Sequence, residues 1–381
     1  MPHDRSPTAL PPDDAPIGPA PFSAAPPDLA VRFALGLVRS LKRLTDLVTP
    51  PELAVFDRSV GSARTHMLGA AVRFGLADAL LGGPLSSAEL AARVGANEDA
   101  LHRVLRALAY DGVFARTADG RWENNRISRA LRIGTLARSR QWVLYWSSRS
   151  NLAAWEELDH ALRTGGGAFS RANGKGVWDW FAAHPEEQRC FAEAMTGLTV
   201  QAAPFVATTY PFREVHTVCD VGGGRGTLLS EVLLRNPHLT GILFDAAGLE
   251  GIARRLFEAR KVADRVRFEA GSFFESVPTG AEVYTLKSIL HDWGDVRCRE
   301  ILAVVRRAMR PGARVLLVES LLARDETGNP AALADVQMMI ACDEGRERSL
   351  QEFRALLEAT GFRLGRVWPT ATDSLIEGVA A

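Results

Sequence analysis

The 381-residue chain is 47% hydrophobic, balances 45 Lys and Arg against 45 Asp and Glu, and contains 4 cysteines. Its length allows two domains with sizeable cores, and its zero net charge argues against a nucleic-acid or membrane-surface partner, either of which favours an excess of basic residues. No apolar run reaches the roughly 20 residues of a membrane span, and no signal-peptide core opens the chain. Cys190, Cys219, Cys298 and Cys342 are scattered, without a CxxC pair, as expected of thiols in a reducing cytoplasm and not of a zinc site.

Residues 1–29 are rich in Pro, Ala and Asp and nearly free of large apolar side chains, so they read as a disordered tail. Residues 30–135 read as a winged-helix-like domain. "LAVRFALGLVRSLKRL" has helical periodicity, and a helix through "ARTHMLGAAVRFGLADALL" ends at Gly82-Gly83-Pro84. "SSAELAARVG" follows with Ser86 and Glu89 at capping-box spacing and Gly95 as its stop. "ANEDALHRVLRALAYDG" is a third helix, and "VFARTADGRWENN" makes a hairpin around Asp119-Gly120. Such a module binds DNA or another subunit. Its third helix opens on Glu98 and Asp99 and lacks a basic face, which favours a subunit interface over DNA. Residues 136–381 read as a helical bridge followed by a catalytic domain. The bridge holds Trp142, Tyr145, Trp146, Trp155, Trp178, Trp180, Phe181 and Phe191. Most of these rings read as core, and some are candidates to line a pocket for a flat apolar ligand.

In "VCDVGGGRGTLLSEVLLRN" a short strand meets a helix through a glycine turn, the first crossover of a doubly wound α/β sheet. Gly222, Gly224 and Gly226 give G-x-G-x-G, not the dinucleotide pattern G-x-G-x-x-G. Asp220, two residues before the first glycine, puts a negative charge at the mouth of the turn, which repels phosphate and suits a cationic nucleoside. "GILFD" ends in Asp245, placed to accept from ribose hydroxyls. Further strands lie in "RVRFEAGSFFESVP", "AEVYTLKSIL" and "ARVLLVES", with Phe273 or Phe274 available to cover an adenine and "HDWGD" directly after the fourth strand.

From about residue 57 to 380 the chain resembles the caffeic-acid-type O-methyltransferase family of plant and bacterial natural-product pathways. The resemblance is carried by "DVGGGRG", "FDAAGLE", "GSFFESVP", "LKSILHDWGD", "VLLVES" and "GRERSLQEFRALLEATGF". It implies a Rossmann-like class I methyltransferase domain behind an α-rich dimerisation domain, S-adenosyl-L-methionine as cofactor, a small aromatic substrate and a homodimer. By the same resemblance, Gly222, Gly224, Asp245, Ser272, Phe273, Lys287 and Thr199 bind the cofactor, while Met195, Met338 and the bridge residue Trp155 hold the substrate. His291 matches the general base, Glu319 and Glu347 the carboxylates that orient it, and Asp292 follows it as in the family. Ser272 stands where the family usually has Asp, and Cys342 lies where some plant enzymes carry an amide, which leaves the acceptor class open.

Methyl transfer from a sulfonium needs alignment and removal of one proton. Unperturbed imidazole, near pKa 6.5, falls short of a phenol near 10 by about 5 kcal/mol and of an alkyl hydroxyl near 15.7 by about 12 kcal/mol. An aromatic hydroxyl is therefore the expected nucleophile. A member diverted to N-methylation or hydroxylation, and a ligand-sensing winged-helix regulator, are the alternatives. A metal site built on His291, Asp292 and Asp295 is not expected, because no acidic cluster surrounds Asp245.

Overall fold

The computed structural model describes residues 17, 18, 21, 22, 28–322 and 331–381. The chain divides into two compact units: one holds residues 41–148 and 189–197, the other residues 17–40, 149–188 and 198–381.

In the first unit, local signals match local structure. Ser86 and Glu89 close a capping box on the helix Ser87–Val94, and Gly95 ends it in the left-handed conformation at φ 69°. Asn97 caps Glu98–Tyr110 by accepting from the Ala100 amide at 3.0 Å. Strands β1 (Ala115–Arg116) and β2 (Trp122–Glu123) pair antiparallel around the turn. The helix expected across residues 63–81 is two, Gly61–Arg73 and Leu76–Ala79, because Gly75 takes φ 65° between them.

On the third helix, Leu101, Leu105 and Leu108 are buried in the unit's own core beside Leu90 and Trp122, Val104 is partly buried, and Tyr110 at its end is exposed. Further apolar side chains are exposed on the helices Asp28–Val48 and Pro51–Ser59, among them Phe33, Val38, Leu47, Val55 and Phe56.

The second unit is built on seven strands in the order β5-β4-β3-β6-β7-β9-β8. They are β3 (Thr217–Val221), β4 (Thr240–Asp245), β5 (Val266–Ala270), β6 (Val283–Lys287), β7 (Arg314–Glu319), β8 (Phe362–Pro369) and β9 (Ser374–Ala380). β3 through β7 run parallel, and β9 lies antiparallel between β7 and β8. Core clusters cover both faces, as the continuous burial of β3, β4, β6 and β7 requires. The chain leaves β3 for β4 on one side and returns to β6 on the other, which opens a crevice at the carboxyl ends of these strands.

Part of the Pro-rich N-terminal segment packs on this unit. Ile17 and Phe22 are 8% and 4% exposed. The Phe22 amide donates to Glu231 Oε2 at 3.1 Å, Arg235 donates to the Phe22 carbonyl at 2.8 Å, and the Arg260 guanidinium sits 4.1 Å from the Phe22 ring. Arg260 also pairs with Glu231, both fully buried. The expectation of a structureless tail is corrected at these residues: composition averages away two apolar anchors for which the fold has built a socket. The rest of that expectation, over residues 1–16, 19, 20 and 23–27, lies outside the described residues.

Candidate active site

The glycine turn, β4 and the loop after β5 meet at the crevice. Gly222 has φ 66°, and a methyl group there would stand 2.6 Å from Ile289 Cδ1 and 3.5 Å from Phe273. The positive φ is what favours glycine here, and its missing side chain keeps the backbone open beside Ile289 and Phe273. The Gly224 amide donates to Asp245 Oδ2 at 2.7 Å and the Ala246 amide to Oδ1 at 2.7 Å, which aims the carboxylate across the turn. Burial raises the Asp245 carboxyl above its ordinary range against these two hydrogen bonds. Each oxygen keeps a lone pair for a further donor such as a ribose hydroxyl. Ser272 accepts from the Phe274 amide at 3.3 Å, and Lys287 Nζ donates to Ser288 Oγ at 3.0 Å.

Asp220 is not at the mouth of the turn. Its side chain lies beneath Gly223, 1% exposed, and accepts from Thr285 Oγ1 at 2.6 Å across the β3–β6 register. Burial pushes its carboxyl up to about 7. Its Oδ2 has no hydrogen-bond partner among the described residues, and the same holds for Glu319 Oε2 and Glu347 Oε2. These three oxygens lie buried beneath the surface, where their negative charge favours a nearby cation over an anion. Together with the glycine turn and Asp245, they fit a sulfonium nucleoside.

His291 lies on a single 3-10 turn, Leu290–Asp292. Two features aim it. Ser288 holds the left-handed conformation at φ 53°, a reversal that costs a non-glycine residue of order 1 kcal/mol and must be held by its surroundings. Glu319, the last residue of β7, accepts from the Ile289 and Leu290 amides at 3.1 and 2.9 Å, satisfying the first donors of the turn. The ring is 18% exposed, with Nδ1 2.9 Å from Glu347 Oε1 and 3.8 Å from Glu319 Oε2, and Nε2 3.5 Å from Asp292 Oδ1. Glu347 thus touches the ring directly, whereas Glu319 acts mainly on the main chain beneath it. Burial disfavours the charged imidazole, but Asp292, Glu319 and Glu347 together outweigh burial and push it up to about 10. Burial likewise lifts Glu319 to about 7 and Asp292 to about 6.

Of the other residues singled out in the sequence, Trp155 donates its indole N–H to Gln337 Oε1 at 2.8 Å, and Gln337 donates on to Asn151 at 2.9 Å. Its polar edge therefore joins two helices. Met338, on the helix Ala331–Ala341, is half-buried, and its carbonyl accepts from the Cys342 amide at 2.9 Å. Met195 and Thr199 lie one turn apart on the helix Pro185–Thr209, Met195 in the first unit and Thr199 in the second. The Cys342 thiol sits 3.6 Å from Asp292 Oδ1. Trp178 stacks on Trp293 beside the histidine turn, centroids 6.2 Å apart.

Sequence reasoning missed Thr285 under the glycine turn, Asp335, which accepts from the Glu347 amide at 2.8 Å, and Arg348. Glu347 does not pair with either neighbouring arginine, since Arg346 pairs with Glu352 and Arg348 with Asp295. His291, Glu319 and Glu347 offer donor atoms within 4.8 Å of one another, a spacing compatible with a metal ion as well as with a hydrogen-bonded base. No helix among the described residues is long and apolar enough to cross a membrane.

A family model described as an O-methyltransferase domain matches residues 155–363, and one described as an O-methyltransferase dimerisation domain matches residues 56–132. The phenazine O-methyltransferase PhzM of Lysobacter antibioticus is 38% identical over 82% of this chain and 92% of its own length. The crystal structure of LaPhzM superposes with a TM-score of 0.84 at 35% identity, over 87% of this chain and 100% of that one. The O-methyltransferase NcsB1 of neocarzinostatin biosynthesis, in complex with S-adenosylmethionine and 2-hydroxy-5-methyl naphthoic acid, superposes with a TM-score of 0.73 at 30% identity, over 84% of this chain and 96% of that one. With the parallel sheet, the glycine turn and the carboxylate-lined crevice, these matches show that the chain belongs to the S-adenosylmethionine-dependent O-methyltransferase family.

Proposed function

We propose that this enzyme methylates a hydroxyl on an aromatic small molecule, phenolic or polyketide-derived, in secondary metabolism, with His291 as general base. One observation carries the reading: the 2.9 Å contact between His291 Nδ1 and Glu347. A carboxylate there keeps the proton on Nδ1 and leaves Nε2 as the acceptor. Glu319 holds the turn and Asp292 lies at the Nε2 edge. Gly222, Gly224, Asp245, Ser272, Phe273, Lys287 and Thr199 would hold the cofactor, whose sulfonium supplies an activated methyl group. Trp155 and Met338 would bound the acceptor.

The electrostatics favour a phenol. An imidazole raised to about 10 stands level with a phenol near 10, so the proton moves between them at little cost. An alkyl hydroxyl near 15.7 would still lie roughly 8 kcal/mol uphill. In the resting site the imidazole holds a proton near neutrality, and a cationic ligand beside the same carboxylates favours its neutral form.

The exposed apolar faces on Asp28–Val48 and Pro51–Ser59 support a homodimer, and the balanced charge and scattered thiols fit a cytoplasmic protein. Light scattering that gives a monomer mass would remove the dimer. The decisive assay pairs labelled S-adenosylmethionine with hydroxylated aromatics, their amino analogues and alkyl alcohols, read by mass spectrometry. Turnover of phenols that falls 10²–10⁴-fold in His291→Ala, the range for loss of a general base, is expected. Preferential turnover of amines would move the reading to N-methylation, and full activity in His291→Ala would overturn the base assignment.

A further inference from the structure

We infer that Arg348 is a positioning residue for His291, a guanidinium clamp that sets the ring's distance to Glu347; this rests on the base role proposed above. Arg348 is fully buried, and all three of its nitrogens are engaged. Nη1 donates to the Leu290 carbonyl at 2.9 Å, and Nη2 to the Trp293 carbonyl at 2.8 Å. Nε and Nη2 both reach Asp295 Oδ1, at 3.0 and 2.8 Å. The two carbonyls bracket the histidine, one just before it in sequence and one two residues after.

The neighbours of Arg348 act on the same turn. The Arg346 amide donates to the His291 carbonyl at 2.8 Å, and the Glu347 carboxylate holds the ring. The Leu322 amide donates to the Arg348 carbonyl at 3.1 Å, tying this stretch to the chain leaving β7, the strand that ends in Glu319. Residues 346 and 348 thus grip the main chain at, before and after the imidazole, and residue 347 holds the ring.

A role in stability alone does not account for an arginine. Burying a guanidinium is costly unless it is fully compensated, and its ion partner Asp295 is itself 48% exposed. What the fork provides is planar donors at fixed angles, which one ammonium cannot reproduce. With the clamp removed, the turn keeps Glu319 at its start and the Arg346 amide on the His291 carbonyl, but the Leu290 and Trp293 carbonyls are left, outside the turn itself, to the weaker Cys298 thiol, at 3.2 and 3.3 Å, which lacks the fork that fixes the roll. The Nδ1–Glu347 contact is the interaction most sensitive to that roll. Asp292, Glu319 and Glu347 are the charged groups facing the ring, with the Cys342 thiol on Asp292 behind them.

The test uses full-length protein with 13C-labelled histidine, the His291 signal being assigned by its loss in His291→Ala. Arg348→Met is expected to lower the His291 titration midpoint by about one unit, tenfold in proton affinity, while calorimetry with S-adenosylmethionine gives a Kd within about twofold of the parent. Arg348→Lys keeps the buried charge without the fork and shifts the midpoint the same way; it carries the test if the methionine variant does not fold. With the best phenol of the panel, Arg348→Met is expected to cut kcat at least tenfold in the parent and less than twofold in the His291→Ala background. An unmoved midpoint in a folded variant, or equal rate losses in both backgrounds, overturns the clamp. His291→Ala alone reports on the base assignment, so the two failures are separable.

Discussion

Replacing Glu347 with glutamine changes one charge and almost no volume, and its effect follows from the contact it alters. In the parent, Nδ1 donates to a carboxylate at 2.9 Å. A hydrogen bond to a charged group contributes about 1.5–3 kcal/mol and a neutral one about 0.5–1.5, so the imidazolium loses about 1.4 kcal/mol of support, or one pKa unit. Glu347 acts upward on a ring pushed up to about 10, so its removal must move the ring down. The acid limb of kcat/KM, followed from pH 7 to 11 with a phenolic acceptor, should shift about one unit lower. The limiting rate constant fitted to that limb should fall by up to about tenfold, because a weaker base removes the proton. Stability shares the sign. A histidine raised above 6.5 in the folded state stabilises fully below that pH and loses its contribution as pH rises toward about 10, and Glu347→Gln closes that window earlier. A limb that stays in place or moves upward would show that Glu347 does not set the basicity of His291.

Asp245→Ala should weaken S-adenosylmethionine binding by roughly 10²-fold or more in calorimetry, since charge-assisted hydrogen bonds to the ribose disappear; unchanged affinity rejects the ribose assignment. A chelator such as EDTA should leave the rate unaltered, whereas strong inhibition that added metal reverses would turn His291, Glu319 and Glu347 into ligands. Phe22→Ala should free the N-terminal strap from the Glu231–Arg260 socket, removing a buried ring valued at about 3–5 kcal/mol as an upper bound. Limited proteolysis ahead of residue 28 should then accelerate while kcat stays within about twofold, and an unchanged cleavage rate would show that the ring does not anchor the segment.

Local signals in this chain act over a few residues, and the sequence by itself determined what they govern. The capping box of Ser86 and Glu89, the Asp119-Gly120 hairpin, the glycine turn and the five parallel strands were legible because each depends on backbone freedom or periodicity within a short window. The candidate residues at strand ends were legible too, because a doubly wound sheet gathers the carboxyl ends of its strands. Tertiary structure decided what depends on residues far apart in the chain. Asp220 lost its surface position because Thr285, 65 residues away, receives it inside the sheet. The division of work between Glu347 and Glu319 came from where residues 346–348 cross the histidine turn. Arg348 and Asp335 gave no sign in the sequence, since a buried arginine and a surface one are spelled alike. Likewise, the socket that Glu231, Arg235 and Arg260 build for Phe22 is spelled nowhere near it in the sequence. Burial and long-range hydrogen bonding are properties of the packed chain, and no window of local sequence contains them.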